Sequence, residues 1–190
     1  HDGDHGANTG GMGAYAPVRH VLTTDDVRTL HAQMTAVVRK LDYVGVLYAG
    51  VLRPFDPSLA PQVLEFNARM GDPEAQAVLA LVTSDVGALF HAAANRLPLP
   101  PLCVRDGCAV NVVVAYDGYP AQRPPNGVDV RLPAPASGVH VYTANVQPTD
   151  TPDVYHSRNG GRMVSVVATS TQSLHEARTR AYGYYDEHVS

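Results

Sequence analysis

Lysine is nearly absent from this sequence of 190 residues. Lys40 is the single lysine among 14 basic side chains, which leaves 13 arginines. Many proteins that handle nucleotide triphosphates use lysine as a point charge for phosphate, and this chain has almost none to offer. Positive charge is not in excess either, because the formal net charge is −4 and the isoelectric point is about 6.1. Nucleic-acid-binding proteins usually carry a basic face, so the composition predicts no nucleic-acid partner.

Cysteine and long apolar runs are also scarce. The two cysteines, Cys103 and Cys108, are not needed as a disulfide framework, because a chain of this length buries about 70% of its unfolded surface. No apolar run approaches the roughly 20 residues that a membrane span requires, so no membrane partner is predicted. The polar segment 1–6 lacks the pattern of a signal peptide. The nine histidines lack the spacing of zinc ligands, so no zinc site is predicted.

The residues that are present predict a folded α+β protein. Hydrophobic residues make up 45% and charged residues 17% of the chain, which excludes a disordered polypeptide. In the first half, Thr23 or Thr24 can cap one helix, and Thr83 or Ser84 can cap another. The strands of this half are expected to pair as a hairpin. Its predicted elements are a helix whose apolar residues run from Val27 to Leu41, strands over 43–52 and 62–66, and helices over 73–82 and 85–96.

A proline-rich segment over 97–101 separates this half from a β-rich second half, because proline cannot continue a helix. Ser173 and Glu176 have the spacing of a capping box, which predicts the start of a last helix. The elements predicted here are strands over 108–116, 139–143 and 162–169, and a helix over 174–185. The predicted organisation is a first domain over 1–97, a linker over 98–107, and a small α+β domain over 108–190.

The first candidate site is the strand segment that carries Glu65, Asn67 and Arg69. Alternate residues of a strand point to one face, so these three side chains are expected to project together while Phe66 packs behind them. A carboxylate and a carboxamide supply the oxygen ligands that Mg²⁺ prefers, usually alongside phosphate oxygens. Arg69 would neutralise an anionic substrate or a transferring phosphoryl group. The alternative interpretation is a solvated polar strand face.

The second candidate is the glycine-rich segment from Asn8 to Gly13. Its three glycines free several backbone N–H groups, which can converge on an anion as they do in phosphate loops. The alternative interpretation is a flexible turn. The residues alone leave both interpretations open.

Six short motifs follow one another along the chain. They read NTGGMGAY, GVLYAG, LEFNARMGDPE, SD, GYP and NGGR, and lie at 8–15, 45–50, 64–74, 84–85, 118–120 and 159–162. Each motif alone is weak, but six in one order across nearly the whole chain are specific. In this order they resemble the phosphoribosylamine–glycine ligase family, whose members are ATP-grasp enzymes.

The resemblance implies a fold and covers only the back part of that family. The second lobe of an ATP-grasp fold would lie over 1–97, followed by the small β-rich domain. The family's N-terminal domain and first lobe, whose glycine-rich loop and lysines hold the ATP phosphates, have no counterpart here. The chain also begins at His1 rather than at methionine. We therefore expect a longer natural protein, and a fragment that is inactive without the missing lobes or a complementary subunit.

The resemblance also implies an activity: a cytoplasmic, ATP-dependent ligase of purine biosynthesis. In such enzymes ATP phosphorylates the carboxylate of glycine, and the amine of phosphoribosylamine attacks the acyl phosphate. Glu65 and Asn67 match the positions that hold Mg²⁺ or Mn²⁺ and ATP, and Arg69 matches a catalytic arginine near the acyl phosphate. The implied substrate-binding residues are Asp4, Asn8, Thr9, Gly10, Gly11, Met12 and Gly13.

The sequence departs from the family pattern in several places. The segment 26–43 is short, Met70 stands where phenylalanine is usual, and Ala75 replaces threonine or cysteine. The stretches 121–125 and 141–146 match the family's loops poorly. Two other interpretations therefore remain open, namely a divergent ATP-grasp ligase that acts on another amine, and a non-catalytic remnant that binds a phosphosugar or a partner.

Overall fold

The computed structural model describes residues 3, 5–56, 58–122, 126–157 and 161–188. The chain packs as two compact units, of which the first holds 1–16, 72–81 and 106–190 and the second holds 17–71 and 82–105. The predicted linear division at 98–107 does not coincide with these units, because residues 1–16 and 72–81 pack with the C-terminal segment. Within the described ranges, no helix is both long and apolar enough to cross a bilayer.

The second unit begins with helix α1 (Thr24–Leu41), as predicted. Thr23 is the N-cap: its hydroxyl accepts a hydrogen bond from the Asp26 backbone N–H at 3.1 Å, and its own N–H donates to the Asp26 carboxylate at 2.9 Å. This reciprocal pair satisfies two N–H groups that a helix start leaves without partners. The helix ends at Leu41, and the residue after it, the C-cap Asp42, has a φ of 47° in the left-handed region.

A two-stranded hairpin follows, formed by β2 (Tyr48–Leu52) and β3 (Gln62–Asn67). The hairpin was predicted, but its first strand begins at Tyr48 rather than at Tyr43. The cause is a turn before it, in which the Tyr43 hydroxyl donates to the Val46 carbonyl at 3.0 Å and Gly45 adopts a φ of 137°. These contacts bend the chain where the apolar pattern favours an extended one.

Helices α2 (Glu74–Leu81) and α3 (Val86–Ala94) lie in the first and the second unit respectively. The N-cap of α3 is Asp85, so the prediction of Thr83 or Ser84 is wrong. Ser84 has another role: its hydroxyl donates to the Pro101 carbonyl at 2.9 Å and accepts from the Cys103 N–H at 2.6 Å. The proline-rich segment is therefore held against the residues that precede α3.

The first unit is built on an antiparallel sheet in the order β1 (Gly13–Ala16), β4 (Cys108–Ala115), β9 (Arg162–Ser170) and β6 (Val139–Thr143). Helices α2 and α4 (Leu174–His188) cover opposite faces. On one face Ala109 packs with Ala77 and Leu81, and on the other Val114, Val164 and Val166 pack with Ala181 and Tyr184. The α+β class is confirmed.

The first unit also holds elements that the sequence did not predict. Strand β1 lies inside the glycine-rich opening, and a second sheet has the order β5 (Val128–Arg131), β8 (Val154–Ser157) and β7 (Gln147–Pro148). The predicted capping box of α4 forms only in part. Ser173 accepts from the Glu176 N–H at 3.1 Å, but the Glu176 carboxylate binds Ser170 and Arg180 instead of returning to Ser173.

Candidate functional site

Glu65 and Asn67 lie side by side on β3 in the second unit. The Asn67 amide Nδ2 donates to Glu65 Oε1 at 2.9 Å, so the two side chains share one face as their spacing predicted. Gly50 lies opposite Glu65 on β2, and a Cβ on Gly50 would be 3.2 Å from Glu65 Cγ. A side chain at position 50 would therefore crowd the carboxylate.

Arg69 is placed differently from its prediction. Strand β3 ends at Asn67, and Arg69 follows in a bend where its guanidinium donates to the Met70 carbonyl at 2.9 Å. The alternation of a strand therefore orients Glu65 and Asn67 but does not extend to Arg69. Phe66, expected to pack behind the polar face, is 44% exposed.

The donor set at Glu65 and Asn67 suits a hard divalent cation, since both side chains carry oxygen. Two protein oxygens are few for such an ion. Among the residues that the structure describes, no group of three or more histidine, cysteine, aspartate or glutamate side chains is arranged to hold a metal. A cation at this pair would need further oxygens from a bound molecule, and phosphate groups supply them well.

The glycine-rich segment in the first unit is bound to an arginine. Arg162, the first residue of β9, donates from Nη1 to the Gly10 carbonyl at 3.0 Å and to the Gly11 carbonyl at 3.3 Å. The same nitrogen lies 2.8 Å from the Asp72 carbonyl, and Nη2 lies 2.8 Å from Asp72 Oδ2. Asp4, which the resemblance also assigned to the substrate, lies outside the described residues.

The backbone N–H groups of this segment do not converge as an anion nest would require. The Gly10 N–H donates to the Tyr119 hydroxyl at 3.3 Å, and the Gly11 N–H donates to the Thr9 hydroxyl at 3.2 Å. Gly13 pairs with Val112 in the sheet. The carbonyls thus face a cation, whereas the sequence predicted N–H groups that face an anion.

Asn8, Thr9 and Met12 are exposed, and Met12 and Gly13 line one side of an open groove of about 490 Å³. Its opposite side belongs to α4, where the Arg178 guanidinium lies 5.5 Å from the centre of the Tyr182 ring. The C-terminal end of the segment from Asn8 to Gly13 therefore borders an open groove.

The comparisons with known proteins agree with the motifs. A family profile described as phosphoribosylglycinamide synthetase, ATP-grasp (A) domain, matches residues 1–75. Phosphoribosylamine–glycine ligase of Mycobacterium tuberculosis is 40% identical over 189 residues, which are 94% of this chain and 42% of that protein. The resemblance to phosphoribosylamine–glycine ligases is confirmed. The trifunctional purine biosynthetic protein adenosine-3 of Gallus gallus is 38% identical over 179 residues, or 88% of this chain and 17% of that protein.

A solved ligase structure has the same fold. The crystal structure of phosphoribosylamine–glycine ligase from Thermotoga maritima matches with a TM-score of 0.76 and 29% identity, over 100% of this chain and 46% of that chain. The ATP-grasp fold expected from the motifs is thereby confirmed. The chain spans less than half the length of the ligases it matches.

Sequence reasoning missed the residues that bind the glycine-rich segment in this ligase-like fold. Arg162, Tyr119 and Asp72 lie in motifs that were recognised, but none of them was assigned to the site. Arg162 lies 152 positions from Gly10 in the chain. No local spacing encodes such a contact, although an arginine and a tyrosine inside recognised motifs were a usable signal. Asn159 and Gly160 of the same motif lie outside the described residues.

Proposed function

We propose that this chain forms the back part of an ATP-dependent carbon–nitrogen ligase that joins glycine to phosphoribosylamine. The observation that carries the proposal is the hydrogen-bonded pair of Glu65 and Asn67 within a chain 40% identical to such a ligase. The reaction requires positioning and charge neutralisation more than covalent chemistry from the protein. The pair supports that requirement because it offers two oxygen ligands for a cation that would neutralise phosphate charge.

In the proposed reaction, the glycine carboxylate takes the γ-phosphoryl group of ATP and releases ADP. The amine of phosphoribosylamine then attacks the acyl phosphate, forms the amide bond and releases inorganic phosphate. Glu65 and Asn67 would hold Mg²⁺ or Mn²⁺, and the cation would offset the negative charge of the ATP phosphates. Arg69 would neutralise charge at the acyl phosphate, and its guanidinium fork suits that role.

The proposal also includes the residues that would bind the phosphosugar and the place where the ligase would act. Asp4 and the segment from Asn8 to Gly13 would bind phosphoribosylamine, which agrees with the open groove beside Met12 and Gly13. The ligase would act in the cytoplasm and would need the lobes found in longer relatives, on the same polypeptide or on a second subunit. A divergent amine substrate is the second candidate, and the departures from the family pattern over 121–125 and 141–146 favour it.

The test uses a completed ligase, in which this chain is joined to the part of the Mycobacterium tuberculosis ligase outside the matched region. We expect phosphate release that requires ATP, glycine, phosphoribosylamine and a divalent cation. A completed ligase that unfolds cooperatively but shows no such turnover would overturn the proposal. Turnover with other amines and not with phosphoribosylamine would favour the divergent ligase.

Glu65→Gln is the decisive variant of the completed ligase. The amide keeps the shape of the side chain but loses the negative charge that attracts the cation, so we expect turnover to fall at least tenfold. Higher Mg²⁺ concentrations are expected to restore part of it. Glu187→Gln is the matched control, because Glu187 lies at the exposed end of α4 with 73% of its side chain accessible. Unchanged turnover and metal dependence in Glu65→Gln would show that Glu65 is not a metal ligand.

A further inference from the structure

We propose that Arg162 is a positioning residue for the phosphosugar substrate, and that it acts by fixing the glycine-rich segment from Asn8 to Gly13. The inference rests on the proposed function, because it assumes that this segment contacts phosphoribosylamine. Arg162 itself lies in β9, outside every segment that the resemblance assigned to substrate or metal.

The Arg162 guanidinium contacts several hydrogen-bond acceptors at once. Arg162 contacts the carbonyls of Gly10, Gly11 and Asp72 and the carboxylate of Asp72, at distances from 2.8 to 3.3 Å. Its side chain is only 21% exposed, so these charge-assisted bonds are partly shielded from water. A lysine ammonium in the same place has three donors on one atom and cannot span carbonyl and carboxylate acceptors in a fixed plane.

The glycine-rich segment has few side chains of its own that could hold its backbone in one conformation. Gly10 and Gly11 have no side chains to pack, and glycine loses more conformational freedom on folding than any other residue. Their conformation must therefore be set from outside. Arg162 binds the two carbonyls, and the Tyr119 hydroxyl binds the Gly10 N–H. A Cβ on Gly10 would lie 3.4 Å from Arg162 Cζ and 3.5 Å from the Tyr119 oxygen, so the glycine fits between these two groups.

The contacts of Arg162 differ from those of an arginine that only stabilises the fold. Arg180 also binds a carbonyl and a carboxylate, but Thr169 lies 11 positions away on the preceding strand β9 and Glu176 lies 4 positions away on the same helix. Arg162 instead binds a segment without regular structure that leads directly into the rim of the open groove at Met12 and Gly13. Its contacts therefore determine the shape of that rim.

The experiment compares Arg162→Lys with Arg180→Lys in the completed ligase. Arg162→Lys is expected to raise KM for phosphoribosylamine about tenfold, because at least one charge-assisted hydrogen bond is lost. The value of kcat and the KM values for ATP and glycine are expected to stay within about twofold, since a positioning role acts on one substrate. Amide hydrogen exchange at Gly10 and Gly11 is expected to become faster. Arg180→Lys is expected to change none of these quantities.

Results other than these would overturn either the positioning role of Arg162 or the proposed function. Equal effects of the two variants, or no change in KM for phosphoribosylamine, would overturn the proposal. A raised KM with unchanged exchange at Gly10 and Gly11 would also overturn it, because Arg162 would then act on the substrate directly. A completed ligase with Arg162 intact and no turnover would overturn the proposed function instead, and the exchange data would still report whether Arg162 holds the segment.

Discussion

At Gly11 of the glycine-rich segment, both the backbone conformation and a close neighbour resist a side chain. Its φ is 100°, and a Cβ there would lie 2.7 Å from Pro73 Cδ. Gly11→Ala is therefore expected to lower the free energy of unfolding by about 1–3 kcal/mol, since alanine rarely adopts this φ and the proline ring must shift. Urea unfolding followed by circular dichroism measures the change.

The matched control for this prediction is Gly183→Ala. Gly183 lies inside α4, and a Cβ there meets nothing within 4 Å. Alanine is favoured over glycine in a helix interior by about 1 kcal/mol, so this variant is expected to be more stable than the wild type. If both alanine variants shift stability in the same direction, the strain assigned to Gly11 is wrong.

At the residue scale, prediction from sequence depended on how far apart the interacting groups lie. Glu65 and Asn67 are two positions apart on one strand, and the alternation of a strand was enough to place them together. Arg69 was expected to continue this alternation, but the strand ends two residues before it. The Asp85 cap was missed because Ser84, an equally good capping residue by type, is engaged by the proline-rich segment.

At the element scale, the C-terminal ends of α1 and α3 are joined by the ion pair of Asp42 and Arg96. The guanidinium donates to both carboxylate oxygens, at 2.8 and 2.7 Å. This bidentate hydrogen bonding, followed by the attraction of the charge, lowers the pKa of Asp42 below its usual value. A lowered folded-state pKa means that the pair stabilises the fold above the unfolded pKa of about 3.9.

The pH dependence of stability tests this connection. As pH falls from 4 through the lowered pKa of Asp42, the stabilisation is expected to disappear. The difference in urea midpoint between wild type and Asp42→Asn is therefore expected to be present at pH 7 and lost in acid. Asparagine tolerates the left-handed conformation of position 42, so this substitution removes the charge without straining the backbone. Arg96→Gln is expected to remove the same pH dependence of stability. A double variant whose free energy of unfolding falls by the sum of the two single losses would contradict the pairing.

Elements with a strong local pattern were predictable, and short ones were not. The strand over 139–143 has its predicted bounds. The helix predicted from the apolar residues between Val27 and Leu41 forms over Thr24–Leu41 behind the Thr23 cap, because spacing and caps act locally. Strands β1, β5 and β8 hold four residues each, too few for alternation to be recognised. Strand β1 gains its extended form by pairing with β4, about a hundred positions away in the chain.

At the scale of the whole molecule, order along the sequence was a poor guide to which segments pack together. A prediction based on composition divides the chain at its prolines, but segment 72–81 leaves the first half to pack on the sheet of the first unit. Asn111 shows the cause, since its buried amide donates to the Pro73 carbonyl at 2.8 Å. Such contacts depend on the tertiary fold, and composition does not encode them.

The hairpin of the second unit has large apolar side chains in solvent. Leu64 is 66% exposed on β3, the strand that also carries Glu65 and Asn67, and Leu52 is 50% exposed on the paired strand β2. A two-stranded hairpin is marginally stable by itself, and exposed apolar patches of this kind indicate an interaction surface. We expect the lobes present in the longer ligases to cover it.

The last prediction is that the 190-residue chain alone does not turn over ATP with glycine and phosphoribosylamine, even with Mg²⁺. Glu65 and Asn67 offer two protein oxygens, which bind Mg²⁺ weakly without well-placed phosphates, and the chain spans 42% of the Mycobacterium tuberculosis ligase. Preorganised charge is lost when a site stays open to water. Calorimetry with ATP and Mg²⁺ and a phosphate-release assay measure this, and sedimentation is expected to show self-association that Leu64→Gln reduces. The completed ligase is the positive control. Micromolar ATP binding or steady turnover by the chain alone would mean that the missing lobes are dispensable, and that the Glu65 pair is organised without them.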